Sequence, residues 1–253
     1  MVLLGNFPKC LKSLKKYLKK SVCSILVGIF FFVCIPPIPT VFAKCSILRK
    51  VNMTSKEVAI TFDDGPSLTY TPQILKLLKQ YQAHATFFLI GERIIPYQKL
   101  VVSEWQAGNE FGNHTYHHIL LTGRTENQIS QELSLTEKAM HQVIPQAGKL
   151  KWFRPTRGRS NAKVCSIAQQ MGYRTVLWSI DSSDWQNPSP EKMAQRILEQ
   201  IRPGDILLFH DQGGNRTSTI RALRIVLYGL HNENYKVVTL SQLYTDKEKG
   251  DQK

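Results

Sequence analysis

Apolar residues in this chain come in short blocks, separated by longer stretches in which they recur every three or four positions. The blocks are VAITF (58–62), ATFFLI (85–90), EFG (110–112), WFR (152–154), TVLWSI (175–180), DILLFH (205–210) and KVVTL (236–240). These short apolar runs are strand candidates. Between them, Ile74, Leu77, Leu78 and Tyr81 fall at i, i+3, i+4 and i+7, the apolar face of a helix. Ile129, Leu133, Thr136 and Met140 form a second stripe, and Thr125 with Gln128 has the spacing of a capping box ahead of it. Val164, Ile167, Ala168 and Met171 form a third stripe, closed by Gly172. Met193, Ile197 and Ile201 form a fourth, opened by Ser189 and Pro190. Seven strands alternating with helices predict a parallel sheet covered by helices, either open and doubly wound or closed into a barrel. No internal repeat or low-complexity linker interrupts the pattern, so one domain accounts for it.

The first 50 residues break the pattern. They carry nine of the basic residues and no acid, so nine units of the formal net charge of +14 sit there. A lysine-rich stretch (9–20) precedes the uncharged apolar run 22–35, followed by Pro36, Pro37, Pro39 and a small-residue site ending at Ala43. Such an arrangement is that of a secretory signal, and the run is short for a spanning helix, which needs about 20 apolar residues. Cleavage after Ala43 and retention as a membrane anchor both stay open. Either way the rest of the chain is exported: secreted, periplasmic or membrane-anchored with the domain outside the cytoplasm. The expected organisation is a signal peptide or anchor over 1–43, a linker over 44–56, a catalytic domain over 57–245 and a polar tail over 246–253. With the charge concentrated at that terminus, a nucleic-acid partner is not expected, and contact with a membrane is expected only through the N-terminal segment. The five cysteines show no metal-type spacing. Cys45 and Cys165 lie outside the targeting segment, and nothing in the sequence decides whether they pair.

Polar residues fall at one end of the predicted strands. Asp63 and Asp64 follow the first block, His114 the third, Arg154 ends the fourth, Asp181 and Asp184 follow the fifth, and His210 and Asp211 end the sixth. In a parallel barrel the C-terminal strand ends share one face, where active sites are built. His114 and His118 are four apart, so on a helical turn both imidazoles would project from one face and grip one ion; spacing alone does not exclude His117. A carboxylate added to them gives a two-histidine, one-aspartate site with positions left for water and substrate. One of the adjacent aspartates would then neutralise its charge on the metal while the other stands beside the bound water.

The motifs TFDDG (61–65), HTYHH (114–118), DSSDW (181–185) and LFH (208–210), in this order, resemble those of the polysaccharide deacetylases, the NodB-homology domain of carbohydrate esterase family 4. The resemblance covers roughly residues 57–245. It implies a distorted (β/α)₇ barrel and metal-dependent hydrolysis of N-acetyl groups on the sugars of an envelope polysaccharide, peptidoglycan or a chitin-like oligosaccharide. Residue by residue, it implies Asp63 as general base and Asp64, His114 and His118 as metal ligands. His210 resembles the general acid, with Asp184 orienting and charging it, and Arg154 belongs to the catalytic group. Leu208 would line the pocket for the acetyl methyl and Trp185 the groove wall. The expected cofactor is a divalent metal, zinc first, with cobalt, nickel, manganese or iron compatible with the same N/O ligands.

One motif departs from the family, which usually shows Arg-x-Pro-aromatic-Gly where this chain reads RPTRG (154–158). Thr156 replaces the proline and Arg157 the aromatic residue. The backbone N–H at 157 is kept, while loop rigidity and groove shape are put in doubt, and the added guanidinium would suit a substrate carrying a carboxylate. The same apparatus also fits an esterase removing O-acetyl groups. A non-catalytic glycan-binding module would need neither base nor acid. A non-haem iron oxygenase, which also uses two histidines and a carboxylate, leaves Asp63 and His210 without a role.

Overall fold

The computed structural model describes residues 45–250; the targeting segment expected at 1–43 lies outside them. Strands β1 (Ile47–Leu48), β2 (Glu57–Asp63), β3 (Thr86–Leu89), β4 (Glu110–Asn113), β5 (Trp152–Phe153), β6 (Arg174–Val176), β7 (Ile180–Asp181), β8 (Ile206–His210) and β9 (Lys236–Val238) form one parallel sheet. Their order is β1-β6-β5-β4-β3-β2-β8-β7, with β9 also pairing with β2. The sheet curls into an incomplete barrel: its end strands β1 and β7 do not pair, which leaves a gap between β6 and β7 for the chain to span. The chain between them crosses the gap: Leu177 N–H donates to Leu48 O at 2.8 Å and Ser179 N–H to Ile206 O at 3.0 Å. The distorted barrel implied by the motifs is therefore present. The predicted strand 175–180 is split where it spans the gap. The stretch set aside as a linker contributes β1, and Cys165 is joined to Cys45 in a disulfide with Cα atoms 5.8 Å apart.

The strands are wrapped by α1 (Thr71–Gln80), α2 (Gly91–Ile94), α3 (Gln98–Gln106), α4 (Glu126–Val143), α5 (Ala162–Gln170), α6 (Pro190–Gln200), α7 (Thr217–Asn232) and α8 (Leu240–Gly250). The capping box at Thr125 and Gln128 forms with both bonds made, and Ser189 caps α6 by accepting from Lys192 N–H. α8 takes in residues expected to be a tail. Among the described residues no helix is long and apolar enough to cross a membrane.

Strand alternation sorts side chains into two layers. Val58, Ile60 and Phe62 of β2 pack outward with Phe87, Leu89, Leu207 and Phe209 under the helices. Ala59, Phe88, Trp152 and Ile206 point into the barrel, where Leu240 and Leu243 of α8 join them. Each inward column ends in a functional group: Ala59–Thr61–Asp63, Trp152–Arg154 and Ile206–Leu208–His210. Glycine is required at 112, where a Cβ would stand 2.3 Å from the Phe88 ring; without one, Phe88 fills the barrel below the site.

One core side chain lacks partners. Glu104 of α3 is buried, and no described donor reaches either carboxylate oxygen. Burial, aided by the charge of Asp211, raises its pKa well above the usual 4.5. The folded state thus keeps a proton that the unfolded chain releases, and stability falls as pH rises above 4.5. Glu104→Met should raise stability at pH 8 by about 1–3 kcal/mol, the cost of an unsatisfied buried polar group, with a smaller gain at pH 5. Thermal melts at the two pH values check this; equal gains would contradict the buried-acid reading.

Candidate metal centre and active-site cleft

The register of the parallel strands brings the polar column ends together. Asp63 lies opposite His210 across β2 and β8. Asn113 pairs with Phe153, so the next residues, His114 and Arg154, sit side by side, and Arg154 N–H donates to Asn113 O at 3.0 Å. They open on a cavity of about 590 Å³ whose walls include Asp63, Asp64, His114, His118 and His210, together with Leu208, Trp185 and Arg157. All the site residues expected from the sequence lie at this cavity or directly behind it.

Asp63 and Asp64 part company because the chain turns sharply between them. Asp64 takes φ 75°, a left-handed conformation uncommon for a residue with a Cβ, and this swings its carboxylate toward the histidines. Asp64 Oδ1 lies 3.4 Å from His114 Nε2 and 3.1 Å from His118 Nε2. Asp63 ends the strand in regular alternation, with Oδ1 accepting from Arg154 Nη1 at 2.7 Å and Oδ2 3.8 Å from His114 Nε2.

The histidine tautomers follow from their second nitrogens. His114 Nδ1 donates to Arg154 O at 2.7 Å, since a carbonyl can only accept. In the neutral ring that leaves Nε2 as a lone pair facing the Asp64 carboxylate. Asp64, His114 and His118 each offer a ligand atom, all within 4.8 Å of one another. Lone pairs converging on lone pairs are mutually repulsive, and a cation between them removes the repulsion, so the donor set fits a divalent metal. It is also the mixed N/O set of zinc sites with an open position. The same imbalance appears in the acid–base behaviour. Burial favours neutral His114, but the charges of Asp63 and Asp64 outweigh it and raise the pKa. For Asp64, burial favours the protonated form, but hydrogen bonds to His114 and His118 prevail and hold its pKa far below the usual range.

The histidine pair does not sit on a helical turn, as the spacing suggested. Residues 114–118 form a loop with positive φ at Thr115 (67°) and His118 (55°), and it still sets the two rings 5.1 Å apart. His117 is turned away, with Nδ1 donating to Glu132 of α4 at 2.7 Å.

Arg154 is fully buried and reaches Asp63 rather than the cavity. Its Nη1 also donates to Thr61 Oγ1 at 2.7 Å and its Nη2 to Leu177 O at 3.1 Å, and its guanidinium lies 4.1 Å from the Phe88 ring centroid. It holds Asp63 in place. On the other side, His210 Nδ1 donates to Asp184 Oδ1 at 2.7 Å, and Asp184 Oδ2 accepts from His210 N–H at 2.9 Å and from Thr219 Oγ1 at 3.0 Å. Burial lowers the His210 pKa, but the hydrogen bond and charge of Asp184, with the charges of Asp63 and Asp64, carry it up to about 9.

Two carboxylates outside the expected set support the site. Glu132 anchors the histidine loop. Asp211, buried, accepts from Thr71 Oγ1 and lies so close to the turn after Asp64 that a Cβ on Gly65 would come within 2.3 Å of it. Glu132 sits next to Leu133 on the buried stripe of α4, an acid beside apolar positions, and that placement is the only sequence signal it leaves. Arg157 adopts φ 55° with its side chain exposed at the cavity wall. Trp185 is 58% exposed at the wall, whereas Leu208 is buried beneath it.

Comparison with known proteins shows which family the chain resembles. The family model described as polysaccharide deacetylase matches residues 50–176. A peptidoglycan-N-acetylglucosamine deacetylase of Bacillus cereus is 39% identical over 196 residues, 77% of this chain and 91% of that protein. The peptidoglycan-N-acetylmuramic acid deacetylase PdaC of Bacillus subtilis is 34% identical over 203 residues, 80% of this chain and 42% of that one. Among solved structures, a peptidoglycan N-acetylglucosamine deacetylase bound to 4-naphthalen-1-yl-N-oxidanyl-benzamide superposes with a TM-score of 0.76 at 31% identity, covering 80% of this chain and 94% of that chain. A CE4 family pseudoenzyme from Bacillus anthracis superposes with a TM-score of 0.73 at 29% identity, covering 80% and 70%. The motifs, the curled parallel barrel and these likenesses agree: the chain belongs to the polysaccharide deacetylase family.

Proposed function

We propose that this chain is an exported, metal-dependent hydrolase that removes N-acetyl groups from amino sugars of an envelope polysaccharide. The observation that carries the reading is the flanking of three convergent ligand atoms, from Asp64, His114 and His118, by a carboxylate and an acid-paired histidine in one cavity. Fold alone does not decide activity, as the likeness to a pseudoenzyme illustrates; the reading rests on the groups gathered at the cavity.

Asp64, His114 and His118 would hold the cation, which supplies Lewis-acid polarisation of the acetyl carbonyl and acidifies an attacking water. Asp63, steadied by Arg154, accepts the proton of that water through its free oxygen. His210, charged at neutral pH by its pairing with Asp184, delivers a proton to the departing amine, which would otherwise be too basic to leave. Leu208 gives the acetyl methyl an apolar seat. The Arg157 N–H meets no acceptor among the described residues and is available to the developing oxyanion.

Arg157 and Arg159 both reach the cavity wall, and neither forms an ion pair with a described residue. Unanswered guanidinium groups favour a glycan with a carboxylate near the N-acetyl group, as a muramic-acid unit has, over a neutral chito-oligosaccharide. Acetate release by the purified domain on peptidoglycan, chito-oligosaccharides and acetylated xylan, with metals added in parallel, tests the reading. Release from xylan alone would favour the O-acetyl esterase. Arg157→Tyr should lower the ratio of activity on muramic-acid-containing glycan to that on chito-oligosaccharide by about tenfold, the equivalent of one 1.4 kcal/mol contact. An unchanged ratio would make Arg157 a solvent residue.

A further inference from the structure

We propose that Glu132 is a positioning residue that sets the geometry of the histidine loop and so determines which of its histidines serve the metal. The proposal rests on the metal reading of Asp64, His114 and His118.

The loop offers three imidazoles within five residues, and no helical or strand ladder fixes its path, which takes positive φ at Thr115 and His118. Its central peptide groups are nonetheless held on both sides. Thr115 N–H donates to Asn113 Oδ1 at 3.0 Å. The carbonyls of Thr115 and Tyr116 accept from Gly91 N–H at 2.9 Å and Glu92 N–H at 3.0 Å, at the start of α2. On the opposite side, Glu132 Oε2 takes both Tyr116 N–H at 3.0 Å and His117 N–H at 2.9 Å, and Oε1 takes His117 Nδ1 at 2.7 Å. The peptide units between the two ligand histidines are thus gripped by α2 through their carbonyls and by α4 through their N–H groups.

Glu132 is 6% exposed, and burying a carboxylate is unfavourable unless donors answer it. Here three donors answer it, all from the loop. The clamp has two consequences. His117, the ring that spacing could not exclude, is drawn out of competition for the cation. His118, immediately after the clamped N–H, is held where its Nε2 lies 3.1 Å from Asp64 Oδ1. Glu132 touches neither cavity nor reacting atoms. It acts through the loop, in the manner of the partners that orient metal ligands.

The test is zinc affinity by chelator competition on the full exported domain, with near-UV circular dichroism to verify folding and kcat and KM measured at saturating zinc. Outer partners of this kind are worth about 10–100-fold in metal affinity. Glu132→Ala should weaken zinc binding by that factor, while excess zinc restores kcat and KM stays unchanged. Glu132→Gln should hold affinity within about threefold of the parent, because its amide oxygen accepts the two N–H groups while its NH₂ faces the His117 ring. A purely structural role would lower melting temperature without this pattern. Should Glu132→Ala not fold, Glu132→Asp supplies the comparison: it keeps the charge but lacks the reach, and should lose affinity where Glu132→Gln does not. Parent-level affinity in the folded Ala or Asp variant would overturn the clamp, as would Gln being as weak as Ala. Parent protein that binds no zinc would overturn the metal reading and the clamp with it, and is distinguishable because it appears before any substitution.

Discussion

Asp63→Asn should lower kcat by about 10²–10⁴-fold, the usual worth of a general base, with bound metal unchanged. Asparagine can still accept from Arg154 at Oδ1, where the parent bond is 2.7 Å, so the guanidinium keeps a partner. The atom facing the cavity becomes an NH₂, which cannot take a proton. The ligand atoms belong to Asp64, His114 and His118 and are untouched, so added metal should restore nothing. Asp64→Asn is the contrasting case: metal and activity fall together, and excess metal recovers part of the rate. Because removing one member of a buried ion pair can cost about 3–5 kcal/mol, both variants need a folding check beside the metal titration. Loss of metal from Asp63→Asn, or near-full activity in it, would reverse the assignment of the two aspartates.

His210→Ala should cost a similar factor of about 10²–10⁴ while retaining metal. A histidine acting as general acid works in its charged form, so activity is lost as pH rises through its pKa. With that pKa raised to about 9, the parent enzyme should hold its rate across neutral pH and lose it on the alkaline side. A cation beside Asp63 and Asp64 offsets their share of the shift, while the share due to Asp184, bonded at 2.7 Å, remains. Asp184→Asn removes that charge, and the alkaline limb should move down toward the ordinary histidine value of 6.5. A pH–rate profile of kcat for parent and variant checks this; a limb that stays in place would mean that another group supplies the proton.

Much of this site is legible in sequence because strand alternation is a rule of period two. Once VAITF is read as a strand with Ile60 and Phe62 outward, Thr61 and Asp63 must face inward, and DILLFH sends Leu208 and His210 the same way. Four of the eight helices, α1, α4, α5 and α6, were readable in the same way, from apolar stripes and from local caps such as Thr125 with Gln128 and Ser189 with Pro190, while α2, α3, α7 and α8 were not. What sequence spacing misjudged was backbone with no period. HTYHH fits a helical turn by counting, yet positive φ at Thr115 and His118 makes it a loop, clamped at Tyr116 and His117 by Glu132, 15 or more residues away. For the same reason Glu132 stayed hidden, and Asp211, visible at the end of its strand, gave no sign of its support for the turn after Asp64: both act through contacts that only folding brings together. The 175–180 block was broken by geometry, because a barrel that fails to close must carry its chain across the gap. β1 is only two residues long and leaves too little pattern to detect. Whether Cys45 and Cys165 pair likewise depends on distance, which sequence does not carry.

The central claim is that cation, base and acid act together on an N-acetylated glycan, and acetate release by chelator-stripped protein, before and after zinc is returned, tests it most directly. On peptidoglycan or chito-oligosaccharide the account predicts release near zero when stripped and recovery with stoichiometric zinc in the parent protein. Under the same zinc, Asp63→Asn should show no recovery. Release that survives stripping, or metal-loaded parent protein that frees no acetate from any N-acetylated glycan, would contradict it.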